Sequence, residues 1–143
     1  MPTKKQLISH IWEYKKRRDV LIKKYGYRTG KTRVITDKIR TWQRQIRIID
    51  KRNKKISLLI KSINDYFDVD ITERYGDSKK ILARRVYFKY GMEHGIMGKF
   101  LSESIGFPSR AACRSRKQYS KTFKTNPSNK EAYHKFKDYI TKT

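Results

Sequence analysis

The sequence predicts an all-α protein in which an N-terminal antiparallel helical hairpin with a heptad seam precedes a helix-turn-helix domain. Three observations predict this fold class. Apolar residues recur at spacings of three and four along most of the 143 residues, which is the period of amphipathic helices. Glycine, proline and helix-capping residues separate these stretches. No segment alternates apolar and polar residues as a half-buried strand does.

The chain is strongly basic, with 37 basic and 13 acidic residues and a net charge of +24. The excess lies at both ends, because residues 1–33 carry 11 basic and 2 acidic groups and residues 108–143 carry 10 and 2. Residues 34–67 carry 9 and 3, whereas residues 68–107 are nearly balanced at 7 and 6. A small domain needs a net charge of only about 2–8 for solubility. The surplus therefore predicts a polyanionic partner, with nucleic acid favoured over an anionic membrane or an acidic protein.

The compartment follows from what the sequence lacks. Its single cysteine, Cys113, excludes an internal disulfide framework and fits the cytosol of a bacterial cell or an infected host. The first residues lack the apolar run of a signal peptide, and no stretch approaches the roughly 20 apolar residues of a membrane span. We therefore expect a cytoplasmic or virion-associated protein that makes no membrane contact.

Two long helices are expected in the N-terminal half. Thr3 is placed to cap the first, which runs to about Tyr25. The second begins near Thr36 or Asp37, and its apolar residues alternate at spacings of four and three, which is a heptad repeat. Asn53 fills the one gap in this seam. The apolar seam residues are Ile35, Ile39, Trp42, Ile46, Ile49, Ile56, Ile60, Ile63 and Phe67.

A lone asparagine in a heptad seam commonly fixes register or oligomeric state. We assign this role to Asn53. A short loop containing glycine joins the two helices, which predicts an antiparallel hairpin over residues 1–67. The second helix is the longer one, so its far end packs against either the C-terminal domain, residues 68–143, or a second protomer. The residues expected to form the oligomerisation surface with Asn53 are Trp42, Ile46, Ile49, Ile56 and Ile60.

Capping signals divide residues 68–143 into shorter helices. Glu73 and Glu131 follow Asp70 and Ser128 by three residues, which is capping-box spacing. Gly106-Phe107-Pro108 predicts a tight turn. The helices are expected to begin at Asp70, at Asp77 or Ser78, near residue 96, at Ser109 and at Ser128.

The segment 96–124 has the pattern of a helix-turn-helix motif, a short helix and a turn before a longer basic helix. At 100° per residue, Ala112, Tyr119 and Phe123 share one side of the second helix. No acidic residue interrupts the cations on the other side. This arrangement predicts one packed face and one face directed at a DNA groove. The cations of that face are Arg110, Arg114, Lys117 and Lys121.

Several motifs in this half resemble a known family. They are Tyr66-Phe67-Asp68-Val69-Asp70-Ile71, Lys79-Lys80, Ala83-Arg84, Ile105-Gly106 with Phe107, and Arg110. In order and spacing, residues 63–140 resemble the C-terminal DNA-binding domain of the bacterial replication initiator DnaA, which has a Trp-repressor-like helix-turn-helix fold. The resemblance implies duplex DNA as partner, with Lys79, Lys80 and Arg84 near the backbone or the minor groove.

The resemblance departs from the family where the family reads its DNA box. This chain has Ala111-Ala112-Cys113-Arg114 in place of Asp-His-Thr-Thr. Base-specific hydrogen bonds from those side chains are lost, while phosphate contacts remain available. Recognition of the family's box is therefore not implied.

No group of residues predicts catalysis, a cofactor or a metal site. His10, His94 and His134 lie far apart, without cysteine or carboxylate at ligand spacing. The segment Gly26–Thr32 has three residues between its glycines, where a phosphate-binding loop needs four. Capping explains Asp70 and Glu73 without a catalytic role.

These observations predict a non-enzymatic protein that binds double-stranded DNA with a large electrostatic component and weak or altered sequence preference. An architectural, regulatory or replication-associated role in a bacterium, mobile element or phage would suit it. The alternative is a structural or assembly protein, such as a virion component, in which the fold serves protein contacts and the seam forms a homo-oligomer. An RNA partner is less favoured, because no aromatic platform for single strands is evident.

Overall fold

The computed structural model describes residues 2–26, 30–73, 76–107, 117 and 121–142. These residues form helices and their connections, and they contain no strand. The predicted all-α class is therefore confirmed. The helices are α1 (Lys4–Tyr25), α2 (Gly30–Phe67), α3 (Ser78–Glu93), α4 (Gly98–Ser104) and α5 (Pro127–Lys142). Residues 117 and 121–125, between α4 and α5, are also helical.

The chain divides into two compact units, Met1–Asn53 and Lys54–Thr143. The division falls within α2 and earlier than the expected boundary after residue 67. Its cause is the last part of α2, where Ile56, Leu59 and Ile63 are buried in the same core as residues of α3, α4 and α5. The far end of α2 thus packs against the C-terminal helices of its own chain.

The start and end of α1 follow the sequence signals. The Thr3 side chain accepts a hydrogen bond from the Gln6 N–H (3.3 Å), and the Gln6 side chain accepts one from the Thr3 N–H (2.8 Å). This reciprocal capping box satisfies two N–H groups that lack partners inside the helix. At the other end, Gly26 has φ +83°, which favours glycine, and its N–H donates to the Ile22 carbonyl.

Helix α2 begins at Gly30, earlier than the expected start at Thr36 or Asp37. The reason is the burial of Thr32, which is only 4% exposed and extends the seam backwards by one position. The Thr36 hydroxyl, expected near a cap, instead donates to the Thr32 carbonyl within the helix (2.9 Å).

Contacts between α1 and the first part of α2 follow an antiparallel order. Lys4 Nζ lies 2.5 Å from the Asp50 carboxylate. Further along α1, the rings of His10 and Tyr14 lie 5.5 Å and 4.7 Å from the Trp42 ring. Lys38 Nζ lies 5.5 Å from the centre of the Tyr14 ring. The Met1–Asn53 unit is therefore held mainly by buried apolar side chains and by the aromatic contacts around Trp42, because an exposed ion pair contributes little.

The Lys54–Thr143 unit has the larger buried core. The Tyr87 hydroxyl lies inside it and donates to the Leu101 carbonyl (2.8 Å), which joins α3 to α4. Burial raises the pKa of Tyr87, so the phenol stays protonated as a donor. The core residues are Ile56, Leu59, Ile63, Phe67, Ile71, Ala83, Val86, Tyr87, Phe88, Leu101, Ile105, Phe123, Tyr133 and Phe136.

The helix expected at Asp70 is not formed at residues 71–73, which are in turns. The Asp70 side chain accepts hydrogen bonds from the N–H (3.0 Å) and the hydroxyl (2.5 Å) of Thr72. The same bonds lower the pKa of the Asp70 carboxyl. The Asn64 side chain meanwhile accepts from the Ile71 N–H (3.1 Å). An aspartate turn thus replaces the capping box, because these local bonds compete with helix formation.

The other two capping predictions had different outcomes. Asp77 caps α3 as expected, with its side chain accepting from the Lys80 N–H (3.0 Å). The prediction that Ser128 begins the last helix was wrong. The Asn126 side chain accepts from the Ser128 N–H (3.0 Å), and α5 begins at Pro127. Proline suits the first helical position because no intrahelical partner is available there for an N–H.

A polar cluster around Glu93 joins α3 to α5. The Tyr133 hydroxyl donates to the Glu93 carboxylate, which also lies 3.2 Å from Lys89 Nζ and 3.3 Å from Lys137 Nζ. Lys89 Nζ lies 5.0 Å from the centre of the Phe123 ring. Partial burial alone would raise the pKa of Glu93, but the hydrogen bonds and the Lys89 charge outweigh it and lower that pKa.

We predict that Gly91→Ala destabilises the protein. A Cβ at position 91 would lie 2.6 Å from a methyl of Leu101, which is fully buried, so the Leu101 side chain or the backbone of α3 would have to shift. Overpacking of this kind costs about 1–3 kcal/mol, which exceeds the roughly 1 kcal/mol gained from the better helix former. Chemical denaturation followed by circular dichroism measures the change. Gly30→Ala is the control, because nothing lies within 4 Å of its added Cβ. Equal stability of the two variants would contradict the close packing.

We predict that Glu93→Gln lowers the denaturation midpoint at pH 7 and weakens the acid sensitivity of the fold. The folded-state pKa of Glu93 is below its ordinary value, so its contribution is complete above about pH 5 and is lost as the pH falls through the folded pKa. Urea denaturation at pH 7 and pH 3 measures both effects. Glu131→Gln, which removes the exposed pair with Lys135, is the control, and it should change the midpoint and its dependence on pH much less. A Glu93→Gln variant with wild-type acid sensitivity would exclude this role.

Candidate nucleic-acid interface

The structure describes only residues 117 and 121–124 of the basic helix expected over 109–124. Arg110 and Arg114 lie outside the described residues. Lys117 and Lys121 are helical and exposed. Phe123 is only 5% exposed, and its ring lies 5.6 Å from that of Tyr133. The described part of this segment therefore has an aromatic side chain in the core and lysines in solvent.

The turn that precedes this segment is tightly bonded. The Ser102 hydroxyl donates to the Phe107 carbonyl (2.7 Å), and the Phe107 N–H donates to the Ser102 carbonyl (2.9 Å). Gly106 lies between them with φ +76°, a conformation that glycine adopts without strain. Leu101 and Ile105 are buried beneath the turn. The end of α4 is thus fixed on the core at the point where the expected second helix follows.

The three cations expected near a DNA backbone differ in their surroundings. Lys79 is exposed on the first turn of α3. Lys80 pairs with Glu73. Arg84 donates from Nε to the Ile71 carbonyl (3.1 Å) and from Nη2 to the Glu73 carbonyl. The sequence pattern gave the three cations equal roles, whereas the structure leaves Lys79 the most accessible of them.

Arg84 has a structural role in holding residues 71–73. Its guanidinium also lies 4.7 Å from the centre of the Phe107 ring, at the turn after α4. A guanidinium suits this position because its fixed donors bond two carbonyls while its plane packs on a ring. Contact between Arg84 and a phosphate would have to compete with these bonds.

The seam residues assigned to oligomerisation are mostly covered within the single chain. Trp42, Ile46 and Ile49 are half-buried in the Met1–Asn53 unit, as is Ile60 in the other, and Ile56 is buried. Asn53 is exposed, and its neighbour Arg52 is half-buried. The role assigned to Asn53, fixing register or oligomeric state, concerns contacts between chains and therefore stays a prediction.

The structure adds a group of cations that the sequence motifs do not indicate. We call it the α2 cation row: Arg33, Arg40, Arg44, Arg47 and Lys51, all of them exposed. The signal was present in the heptad repeat. Arg33, Arg40 and Arg47 each follow a seam position of the same type (residues 32, 39 and 46) by one residue. The apolar positions of the repeat alone do not indicate these cations, because each cation lies one residue outside the seam.

Two classes of site receive no support from the part of the chain that the structure describes. Its His, Cys, Asp and Glu side chains form no group of three or more that could hold a metal ion. None of its helices is both long enough and apolar enough to cross a membrane.

Comparison with known proteins adds no relative. No protein-family model, no curated protein and no solved structure matches this chain. The resemblance to the DnaA domain therefore rests on the residues quoted for it and stays a prediction.

Proposed function

We propose that this protein is a non-enzymatic binder of double-stranded DNA whose affinity comes mainly from phosphate contacts. The observation that carries the proposal is the surplus of cations in both units. The Met1–Asn53 unit has 17 basic and 4 acidic residues, and the Lys54–Thr143 unit has 20 and 9. Most basic side chains therefore have no acidic side chain in the chain to pair with. Such a surface attracts a polyanion and releases its counterions on binding.

The expected basic helix supports duplex DNA as that polyanion. Lys117 and Lys121 are exposed on helical residues, while Phe123 of the same segment is held in the core by Tyr133. A helix anchored on one side can present cations on the other without losing its packing. Lysine binds phosphate as a point charge and reads no base by itself. Binding with weak sequence preference follows from these residue types.

We predict that wild-type protein binds random duplex DNA with a steep dependence on salt. In anisotropy titrations from 50 to 200 mM salt, log Kobs should fall linearly with log salt concentration. Lys117→Gln with Lys121→Gln should reduce the slope by about 1.8, because each lost phosphate contact removes about 0.9.

The control for this titration is Lys130→Gln with Lys142→Gln, which removes the same charge from exposed positions of α5. A parallel titration with a DnaA-box duplex tests sequence preference, and tighter binding to the box would show that base reading persists. Absence of binding near physiological salt would refute the proposal.

An assembly protein is the second candidate, and a specific observation favours it. Several large apolar side chains of the Met1–Asn53 unit are exposed by 51–63%, among them Ile8, Trp12, Val20, Val34 and Ile48. Contiguous exposed apolar groups are typical of surfaces that bind protein, and Ile8 and Trp12 are neighbours one helical turn apart on α1. A stable oligomer in sedimentation without DNA, together with no DNA binding, would favour this function over the first.

A further inference from the structure

We propose that the α2 cation row is a DNA-contacting surface separate from the expected helix-turn-helix, and that it lies along duplex phosphates whatever the base sequence. This inference rests on the proposed function, because it takes duplex DNA as the partner. It extends the proposed function by naming the surface of the Met1–Asn53 unit that contacts DNA and the phosphates that this surface recognises.

The row occupies one face of one helix. At 3.6 residues per turn, its five residues fall within an arc of about 60° and extend over about 27 Å of helix axis. Residues of the buried seam, such as Ile39 and Trp42, lie on another side of α2, toward α1. The packing of α2 on α1 therefore holds all five cations in solvent and in line.

The charge of this face is almost uncompensated. Among the described residues, none of the five cations of the row forms an ion pair. Asp37 is the acidic residue of α2 beside the row, between Arg33 and Arg40. Asp50 lies toward α1 and is paired with Lys4. A solvated helix face commonly mixes charges of both signs, whereas this face carries five positive groups and one negative.

The length of the row suits contact with several phosphates of a duplex. Each strand carries a phosphate every 3.4 Å of the duplex axis, so a row of about 27 Å spans roughly eight base-pair steps and meets phosphates wherever a winding strand crosses it. Four of the five cations are arginines, whose forked donors bond phosphate oxygens in pairs. An anionic membrane fits less well, because the apolar side of α2 is packed on α1 through Ile39 and Trp42 and is not available to enter a lipid surface.

The length of the row also restricts what it can read. Its length of about 27 Å is most of one helical turn of B-DNA, which is about 34 Å, and over that distance the groove winds most of the way round the duplex. A straight helix of this length cannot keep the whole row at base edges. Most of its cations therefore meet phosphates, and the binding that the row contributes is independent of sequence.

The test compares two triple variants of the full-length protein on random 30-base-pair duplexes. Arg40→Gln, Arg44→Gln and Arg47→Gln remove the centre of the row, and glutamine keeps the helix propensity. Lys5→Gln, Lys15→Gln and Lys24→Gln remove the same charge from exposed α1 positions that share no face. The row variant should reduce the salt slope by about 2.7 and the affinity at 0.1 M salt by about 100-fold or more. The control should change the slope by less than about 1.

Two further arms make the result specific. Arg40→Lys, Arg44→Lys and Arg47→Lys keep the charge and should retain most of the wild-type slope. The loss in the glutamine variant should be equal on several unrelated duplex sequences, and unchanged helical ellipticity will show that the variant is folded. A loss confined to one sequence would mean that the row reads bases, which contradicts the inference.

The outcomes separate this inference from the proposed function. If wild type binds DNA and responds to Lys117→Gln with Lys121→Gln but not to the row variant, the row is not a DNA surface and the proposed function stands. If wild type binds no duplex, both are overturned. If the row variant loses affinity for duplex RNA but not for duplex DNA, the assignment of the row to DNA is wrong.

Discussion

The heptad repeat of α2 determines where most of the molecule's chemistry lies. Over 38 residues the helix turns its apolar positions toward α1 in its first part and into the core of the Lys54–Thr143 unit in its last part. Because a helix fixes the direction of every side chain once one side is buried, the same repeat places arginines and a lysine together on another side. The heptad repeat of α2 thus determines both its buried apolar side and its exposed cationic side.

The positive charge restricts how the chain can be stabilised. Ion pairs are limited by the 13 acidic residues, and the pairs in the structure join elements at a few points, such as Lys4 with Asp50 and Lys137 with Glu93. Aromatic side chains supply part of the stabilisation that ion pairs cannot. Tyr66 packs on Phe67, Phe136 and Tyr139. Rings bury large apolar areas without adding charge, which suits a protein with so many mutually repelling cations.

The sequence predicted the helices better than it predicted the hydrogen bonds that individual side chains make. Thr3 and Asp77 cap helices as expected, because a capping side chain bonds backbone groups only two or three residues away. The predicted helix starts at Asp70 and Ser128 were wrong because other hydrogen bonds competed. Asp70 accepts from Thr72, and Asn126 caps the last helix ahead of Ser128. In the candidate site, exposure of Lys117 and Lys121 was readable from helical period. The bonds of Arg84 to two carbonyls were not, because they depend on a loop and a turn that only tertiary packing brings together.

The contact between Gly91 and Leu101 has a consequence for recognising relatives of this chain. The Leu101 side chain occupies the space that a side chain at position 91 would need, so the two positions share one fixed volume. Chains that keep this fold should vary them together, with a larger residue at 91 accompanied by a smaller one at 101. Such paired variation between α3 and α4 would identify related chains even where overall identity is too low to detect.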